Sequence, residues 1–307
     1  LDDPVARYIP AFANPQVATE RTGANGLKYL DFAPANKPIT VLDLLRQSSG
    51  ISSAFTNLGL VTQLYLNAGL FDGDFDNRDF AERLARLPLA YQPATVWDYG
   101  HSTDVLGRVI EVVSGLSLFD FEKQYLLDPL GMTDTSYYVL DPAKAQRIAQ
   151  PLPTDRTIGN EVISDPTIKR KWESGGGGLN ATTDDYARFL QMLVNDGMID
   201  GKRILKPETV VLMRKNEIAP ATDVKPWAYY YPGAGFGYGL GFGVRTGPGD
   251  DGVPGFVGEM AWGGAAGTYF WTYPDQDMVM ILMVQTPTQR GRIQPILKTL
   301  VYQAIKP

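Results

Sequence analysis

The clearest pattern along the chain is a helical one within residues 97–115. Apolar residues recur there three and four positions apart, at Val105, Leu106, Val109, Ile110 and Val113. This spacing places them on one face of an α-helix, which would pack that face against a core. Ser102 and Thr103 are candidate caps at its start, and Ser114-Gly115 ends the pattern. We therefore predict a buried helix that begins directly after a polar segment, Tyr99-Gly100-His101.

Shorter periodic patterns predict further helices on both sides of this one. They cover residues 41–47, 79–87, 117–127 and 207–215, a segment from Thr182 to Asn195, and a closing helix over 292–305. The stretches between them are less regular. Residues 13–38 are predicted to be a surface excursion, 51–78 a rim or lid, and 133–172 loops with short strands.

The character of the chain changes after residue 236. Strand-like runs cover residues 236–244, 259–262, 268–273 and 278–285. The short Pro274–Asp277 connection predicts that the last two runs are antiparallel neighbours. Helices followed by an antiparallel sheet and a closing helix form an α+β plan. We predict a mainly helical subdomain over residues 1–235, and a sheet with its C-terminal helix over 236–307.

Composition and charge narrow the possible functions. The 307 residues carry 28 basic and 34 acidic side chains, a net charge of −6, with no basic run. Nucleic acid is therefore not an expected partner, because phosphate binding needs clustered Lys and Arg. The longest apolar run, residues 278–284, is too short for a membrane span. With no Cys and one His, we expect no metal site and no cofactor.

Candidate chemistry lies at the start of the strongest helix. Tyr99 supplies a phenol, and His101, two positions later, is the chain's single imidazole. Both groups can move protons or bind a substrate. The local pattern equally fits a structural interpretation, in which Tyr99 closes a loop and His101 bonds to the backbone. The two readings stay open on these residues alone.

Five segments together resemble the serine β-lactamase-like superfamily. They are LDDPVARYIPAF, ITVLDLLRQSSGI, PATVWDYGHSTDVLGRVIEVVSG with the following DPLGMTDT, GGGGLNATTDDYARFLQMLVNDG, and WGGAAGTYFWTYPDQDMVMILMVQ. They occur in the family's order across essentially the whole chain. The nearest branch contains class C β-lactamases with related carboxylesterases and D-amino-peptidases. The resemblance implies a β-lactamase/transpeptidase-like fold and acyl transfer from a small-molecule ester or amide.

The resemblance also implies roles for particular residues. Tyr99 matches the tyrosine of the family's second motif, and His101 stands where Asn is usual, as a substrate contact. Trp262, Gly263 and Gly264 occupy the third motif, and the N–H of Ala265 is the expected oxyanion donor. Because no Lys stands at Trp262, a β-lactam carboxylate loses its cation, which favours neutral esters. Trp262 also fits a core aromatic at the end of a strand.

The first motif of the family, Ser-x-x-Lys, is not found. No Ser has Lys three residues later, and the single hydroxyl-x-x-Lys is Thr222 to Lys225 in a Pro-flanked loop. We expect that the motif and a sheet hairpin precede Leu1, that this chain alone is inactive, and that an N-terminal segment or second chain covers an open sheet edge.

Three functions remain open on this basis. The leading one is a carboxylesterase that works through an acyl-enzyme. The second is a non-catalytic binding or scaffold relative that has lost its nucleophile. The third is a β-lactamase or D-amino-peptidase with the same machinery.

Overall fold

The computed structural model describes residues 1–53, 59–155, 157–158, 161–162, 165–218, 223–224, 233, 235–248 and 252–305. The chain forms two compact units. The first contains Leu1–Phe121, Arg170–Gly178 and Ile218–Ala228, and the second Glu122–Lys169, Leu179–Glu217 and Tyr229–Pro307. These units group residues by contact and interleave along the sequence. The division at residue 235, which follows sequence character, stays a prediction.

Helices and strands both contribute to the fold. The α-helices are α1 Val41–Leu45, α2 Leu60–Asn67, α3 Asn77–Leu84, α4 Ser102–Ser114, α5 Leu118–Glu122, α6 Asp128–Leu130, α7 Thr183–Val194, α8 Pro207–Arg214 and α9 Arg290–Ala304. The strands are β1 Gln16–Thr22, β2 Lys28–Pro34, β3 Val96–Trp97, β4 Thr157–Ile158, β5 Glu161–Val162, β6 Met198–Ile199, β7 Lys202–Arg203, β8 Asp223–Val224, β9 Phe236–Tyr238, β10 Gly243–Arg245, β11 Met260–Gly263, β12 Tyr269–Tyr273 and β13 Met278–Leu282.

The first unit is built around α4, as the helical pattern predicts. Val105 and Val109 are buried in one apolar core, and α4 packs against α1 and α3. The helix ends at Gly115, whose φ of 74° is left-handed and therefore suits glycine. Val113 was predicted to face the core and instead lies exposed, because α4 presents this last turn to solvent.

The second unit contains an antiparallel sheet in the order β13-β12-β11-β10-β9. Successive residues of a strand point to opposite faces. Phe270 of β12 lies against Tyr186 of α7, with ring centroids 5.7 Å apart. Gln294 of α9 donates hydrogen bonds to the turn that links β11 to β12. The predicted α+β plan, the antiparallel pairing of the last two strands and the closing helix are confirmed.

Three predicted segments need correction. Residues 13–38 contain an antiparallel hairpin, β1 with β2, which the sequence hides because Val17 and Ala18 alone are buried in β1. Residues 236–244 form two paired strands, since Gly239 donates to the carbonyl of Phe242 across a turn. The helix predicted over 117–127 is α5 followed by a π-helical turn, Lys123–Leu127.

One edge of the sheet bears on the expectation of a missing hairpin. Among the described residues, β13 pairs with β12 and with no second strand. What lies along the outer edge of β13 stays a prediction. Separately, none of the helices in the described ranges has the length and apolar character needed to cross a lipid bilayer.

Candidate functional site

The segment Tyr99-Gly100-His101 is held by hydrogen bonds to residues that follow α1. Gly100 donates its N–H to Oε1 of Gln47 at 3.2 Å, and His101 donates its N–H to the carbonyl of Ser52 at 3.4 Å. A Cβ on Gly100 would lie 2.6 Å from the carbonyl oxygen of Ile51, closer than real Cβ atoms approach. Glycine is therefore required at this position. The half-buried side chain of Tyr99 thus extends from a backbone segment whose position is fixed.

His101 lies in a largely apolar setting at the start of α4. It is 7% exposed, and its ring centroid lies 5.3 Å from that of Phe80 and 5.8 Å from that of Phe71. Nδ1 lies 3.0 Å from a carboxylate oxygen of Asp104, so the hydrogen bond assigns the proton to Nδ1 in the neutral ring. Nε2 is then the acceptor, and it is buried without a partner among the described residues.

Asp104 joins this histidine to the segment that precedes residue 179. Its Oδ1 accepts a hydrogen bond from the hydroxyl of Ser174 at 2.6 Å and from the N–H of Gly176 at 3.2 Å. A Cβ on Gly175 would lie 2.4 Å from the carbonyl oxygen of Thr103, so glycine permits the close approach. Asp104 and Ser174 were not predicted as site residues from the sequence. The signals available were an acid in the first turn of a helix and a run of four glycines.

The serines near Tyr99 are structural. The hydroxyls of Ser49 and Ser102 lie 2.8 Å apart, and Ser52 donates to Asp98 at 2.9 Å. All three serines are buried. A nucleophile must reach its substrate, so none of these hydroxyls is placed for that role.

A second tyrosine in the same unit differs from Tyr99. Tyr65 is buried, accepts the N–H of Ser52 and donates to the carbonyl of Pro88. Burial raises the pKa of Tyr65 far above its ordinary value, so its phenol stays protonated at neutral pH. Tyr65 is therefore a structural donor, and the half-buried Tyr99 is the better candidate for proton transfer.

The third-motif residues lie at the end of β11. Trp262 is half-buried and meets Tyr238 edge to face, with ring centroids 5.1 Å apart, so it is not a fully buried core aromatic. Gly264 opens a tight turn, since its N–H donates to the carbonyl of Thr268 at 2.8 Å and its own carbonyl accepts from Gly267. Ala265 is half-buried, and within the described residues its N–H donates no hydrogen bond.

The predicted site residues thus fall into two groups. Tyr99 and His101 belong to the first compact unit, whereas Trp262, Gly263, Gly264 and Ala265 belong to the second. Thr222 and Lys225 lie outside the described residues. In the part of the chain that the structure describes, no group of three acidic or histidine side chains is placed to hold a metal ion. The roles of all six residues stay predictions.

This fold and these motifs are those of the serine β-lactamase-like hydrolases. The chain belongs to the Beta-lactamase family, which it matches over residues 1–303. It is 32% identical over 294 residues to an uncharacterized protein of Mycobacterium tuberculosis, covering 93% of this chain and 71% of that protein. It is 31% identical over 226 residues to the lovastatin esterase of Penicillium rubens, covering 72% of this chain and 54% of that enzyme.

A solved structure supports the fold. The chain superposes on unliganded simvastatin synthase from Aspergillus terreus with a TM-score of 0.74 at 21% identity, covering all of this chain and 78% of that one. The predicted family and fold class are therefore confirmed: this is a member of a serine hydrolase superfamily that includes esterases and penicillin-binding proteins.

Proposed function

We propose that the protein containing this chain is a carboxylesterase that works through an acyl-enzyme. The observation that carries the proposal is the N–H of Ala265, directly after Trp262-Gly263-Gly264, which donates no hydrogen bond to any residue that the structure describes. A backbone N–H fixed at the end of a strand can stabilise the negative charge that develops on a carbonyl oxygen under attack. The relationship to lovastatin esterase supports an ester as the substrate class.

The other residues take complementary roles in this proposal. Tyr99 accepts the proton of the attacking hydroxyl and later returns a proton to the departing alkoxide. His101, which is held by Asp104, shapes the substrate-binding surface next to Tyr99. Trp262 offers an aromatic face where a β-lactamase would offer a cation, so neutral acyl groups are preferred.

The nucleophile of this proposal is not one of the serines near Tyr99. The sequence contains no Ser-x-x-Lys, and the serines close to Tyr99 are buried. We therefore place the attacking serine and its lysine outside residues 1–307. In the reaction the serine oxygen bonds to the ester carbonyl carbon, the alcohol leaves with a proton, and water then releases the acid and restores the hydroxyl.

The test compares two substrate classes on the full-length natural protein. We expect kcat/KM for p-nitrophenyl butyrate to exceed that for nitrocefin by about 100-fold or more, the order of effect of a missing charged contact. Trp262→Lys should narrow this ratio by improving the KM for nitrocefin. Equal or better turnover of the β-lactam by the unmodified protein would contradict the proposal.

A covalent probe distinguishes the enzyme from the scaffold alternative. A fluorophosphonate should label one serine of the full-length protein, and peptide mass mapping should locate it outside residues 1–307. An adduct within these residues would refute the placement of the nucleophile. A full-length protein with neither adduct nor ester turnover would be the non-catalytic relative.

A further inference from the structure

The turn that carries Ala265 is held from one side by α9. Arg290, the first residue of α9, is 7% exposed and donates from one guanidinium nitrogen to two carbonyl oxygens. The distances are 3.3 Å to the oxygen of Ala265 and 3.5 Å to that of Gly264. One buried cation thus contacts the peptide groups on both sides of Ala265.

Gln294 continues this contact one helical turn further along α9. Its Nε2 donates to the carbonyl oxygens of Gly267 at 3.2 Å and Thr268 at 3.3 Å. Residues at i and i+4 share a helix face, so Arg290 and Gln294 reach the same turn. The remaining carbonyl, that of Ala266, accepts the N–H of Thr286 at 2.7 Å. Every carbonyl from Gly264 to Thr268 therefore accepts at least one hydrogen bond.

The N–H of Ala265 contrasts with these carbonyls, because it makes no hydrogen bond within the described residues. The carbonyl of Gly264 and the N–H of Ala265 belong to one planar peptide group and point in opposite directions. That carbonyl accepts from Arg290 and also from the N–H of Gly267 at 3.0 Å, and holding it toward these donors fixes the N–H of Ala265 on the opposite side of the peptide, away from Arg290. A cation on the carbonyl also polarises the peptide and makes the N–H a stronger donor.

A buried arginine at the first position of a helix is energetically unfavourable. The N-terminus of a helix carries partial positive charge and favours acidic side chains. The first turn of α9 holds Arg290 and Arg292 and no acid. Burying a charge has a further desolvation cost. A residue that breaks local preferences in this way marks a place where another requirement dominates.

We propose that Arg290, assisted by Gln294, is the positioning residue for the oxyanion donor Ala265. It acts through the Gly264–Ala265 peptide and touches no reacting atom. The inference rests on the proposed function, since it assigns the origin of that donor's orientation.

The test uses the full-length protein with Arg290→Met, Arg290→Lys and Gln294→Leu. Arg292→Met is the matched control, because Arg292 is exposed on the same helical turn and bonds to Gln289. We expect Arg290→Met to lower kcat for p-nitrophenyl butyrate about 10- to 100-fold with KM within about threefold, since losing a whole oxyanion donor costs about 100- to 1,000-fold. Arg290→Lys should recover part of kcat, and Arg292→Met should match the unmodified protein.

A second readout is independent of turnover. The amide resonance of Ala265 in ¹H–¹⁵N spectra should shift in Arg290→Met and Gln294→Leu, and should stay in place in Arg292→Met.

If the unmodified protein hydrolyses no ester, the proposed function fails, and this resonance alone decides whether Arg290 orients the peptide. If esters are hydrolysed and Arg290→Met keeps full kcat, the positioning role is refuted while the function stands. Should Arg290→Met fail to fold, a full kcat in both Arg290→Lys and Gln294→Leu would refute it equally.

Discussion

Nδ1 of His101 lies 3.0 Å from the carboxylate of Asp104, three residues along the same helix. The chain's single imidazole is thus tied to the first turn of α4, and its other nitrogen is buried among aromatic rings. Asp104 is the centre of this arrangement, because it also accepts hydrogen bonds from Ser174 and Gly176. The polar segment before α4 and the glycine run before residue 179 therefore meet on one carboxylate.

Removing this carboxylate should destabilise the first unit strongly. Asp104→Ala leaves the buried Nδ1 of His101 and the half-buried hydroxyl of Ser174 without their acceptor, and we expect a loss of about 3 kcal/mol in the free energy of unfolding. Urea denaturation followed by circular dichroism measures this change. Asp120→Asn is the control, since its carboxylate is exposed in the first turn of α5. A loss for Asp104→Ala no larger than that of the control would show that the network contributes nothing to stability.

Tyr99→Phe tests the phenol as a proton-transfer group. The change keeps the ring and deletes one hydroxyl, so the free energy of unfolding should fall by only about 0.5–1.5 kcal/mol. Turnover of p-nitrophenyl butyrate by the full-length protein should fall about 100- to 10,000-fold, the contribution of a positioned acid–base group. Tyr65→Phe, which removes a buried structural phenol, should instead affect stability more than kcat. Full activity in Tyr99→Phe would make Tyr99 structural too.

Gly263 and Gly264 should respond differently to alanine. A Cβ on Gly263 would meet nothing closer than 3.5 Å, whereas one on Gly264 would lie 2.1 Å from the hydroxyl of Thr268. We expect Gly263→Ala to change the melting temperature little and Gly264→Ala to lower it by several degrees, as a displaced turn costs about 1–3 kcal/mol. Thermal scans of both variants decide this, and equal melting temperatures would contradict the geometry. Lost turnover in a stable Gly263→Ala protein would support a contact between this glycine and substrate.

The link between Asp155 and the segment after β13 should make stability depend on pH. Asp155 accepts hydrogen bonds from the hydroxyl of Thr286 at 2.6 Å and the N–H of Thr288 at 3.1 Å. These bonds hold the pKa of Asp155 below its ordinary value. The hydroxyl of Thr286 has the larger effect and the N–H of Thr288 the smaller one. A lowered folded-state pKa stabilises the protein above the unfolded value of about 3.9 and loses that effect as the pH falls through the folded value.

Asp155→Asn should therefore be less stable than the unmodified protein at pH 7. The difference should shrink as the pH falls below about 4, where the unfolded-state carboxylate takes up its proton. Urea unfolding at a series of pH values measures this convergence. Asp275→Asn, at an exposed position, should run parallel to the unmodified protein. If the difference in the free energy of unfolding between Asp155→Asn and the unmodified protein stays constant from pH 7 to well below about pH 4, the assigned pKa direction is contradicted.

The buried pair Lys298–Glu259 offers a contrast with surface pairs. Nζ of Lys298 donates to Glu259, both side chains are nearly inaccessible, and the hydroxyl of Tyr302 donates to the same carboxylate. Lys298→Met removes the cation that is bonded to this buried carboxylate, leaves only the charge of the nearby buried Arg245, and should cost about 3–5 kcal/mol. Arg78→Met breaks the exposed pair with Glu82 and should cost under about 0.5 kcal/mol. Urea denaturation of both variants measures the difference, and similar losses would refute the role of burial.

Local patterns determined the elements that depend on local rules. The spacing of Val105 and Val109 predicted α4, and the Thr182 cap predicted the start of α7, because helix periodicity and capping act within a few residues. The short Pro274–Asp277 link predicted the pairing of β12 with β13 for the same reason. The family also followed from the sequence, since its motifs keep their order along the chain.

Tertiary structure alone decided the partners of the candidate site residues. Nothing near Ala265 in the sequence indicates that Arg290 and Gln294 hold its turn, because α9 begins 25 residues later and the contact arises from packing on the sheet. The bond between Asp104 and Ser174, 70 positions apart, has the same origin. Hydrogen bonds between distant segments depend on how a chain folds back on itself, which no local periodicity encodes. The sequence therefore supplied the functional groups, and the fold set their orientation.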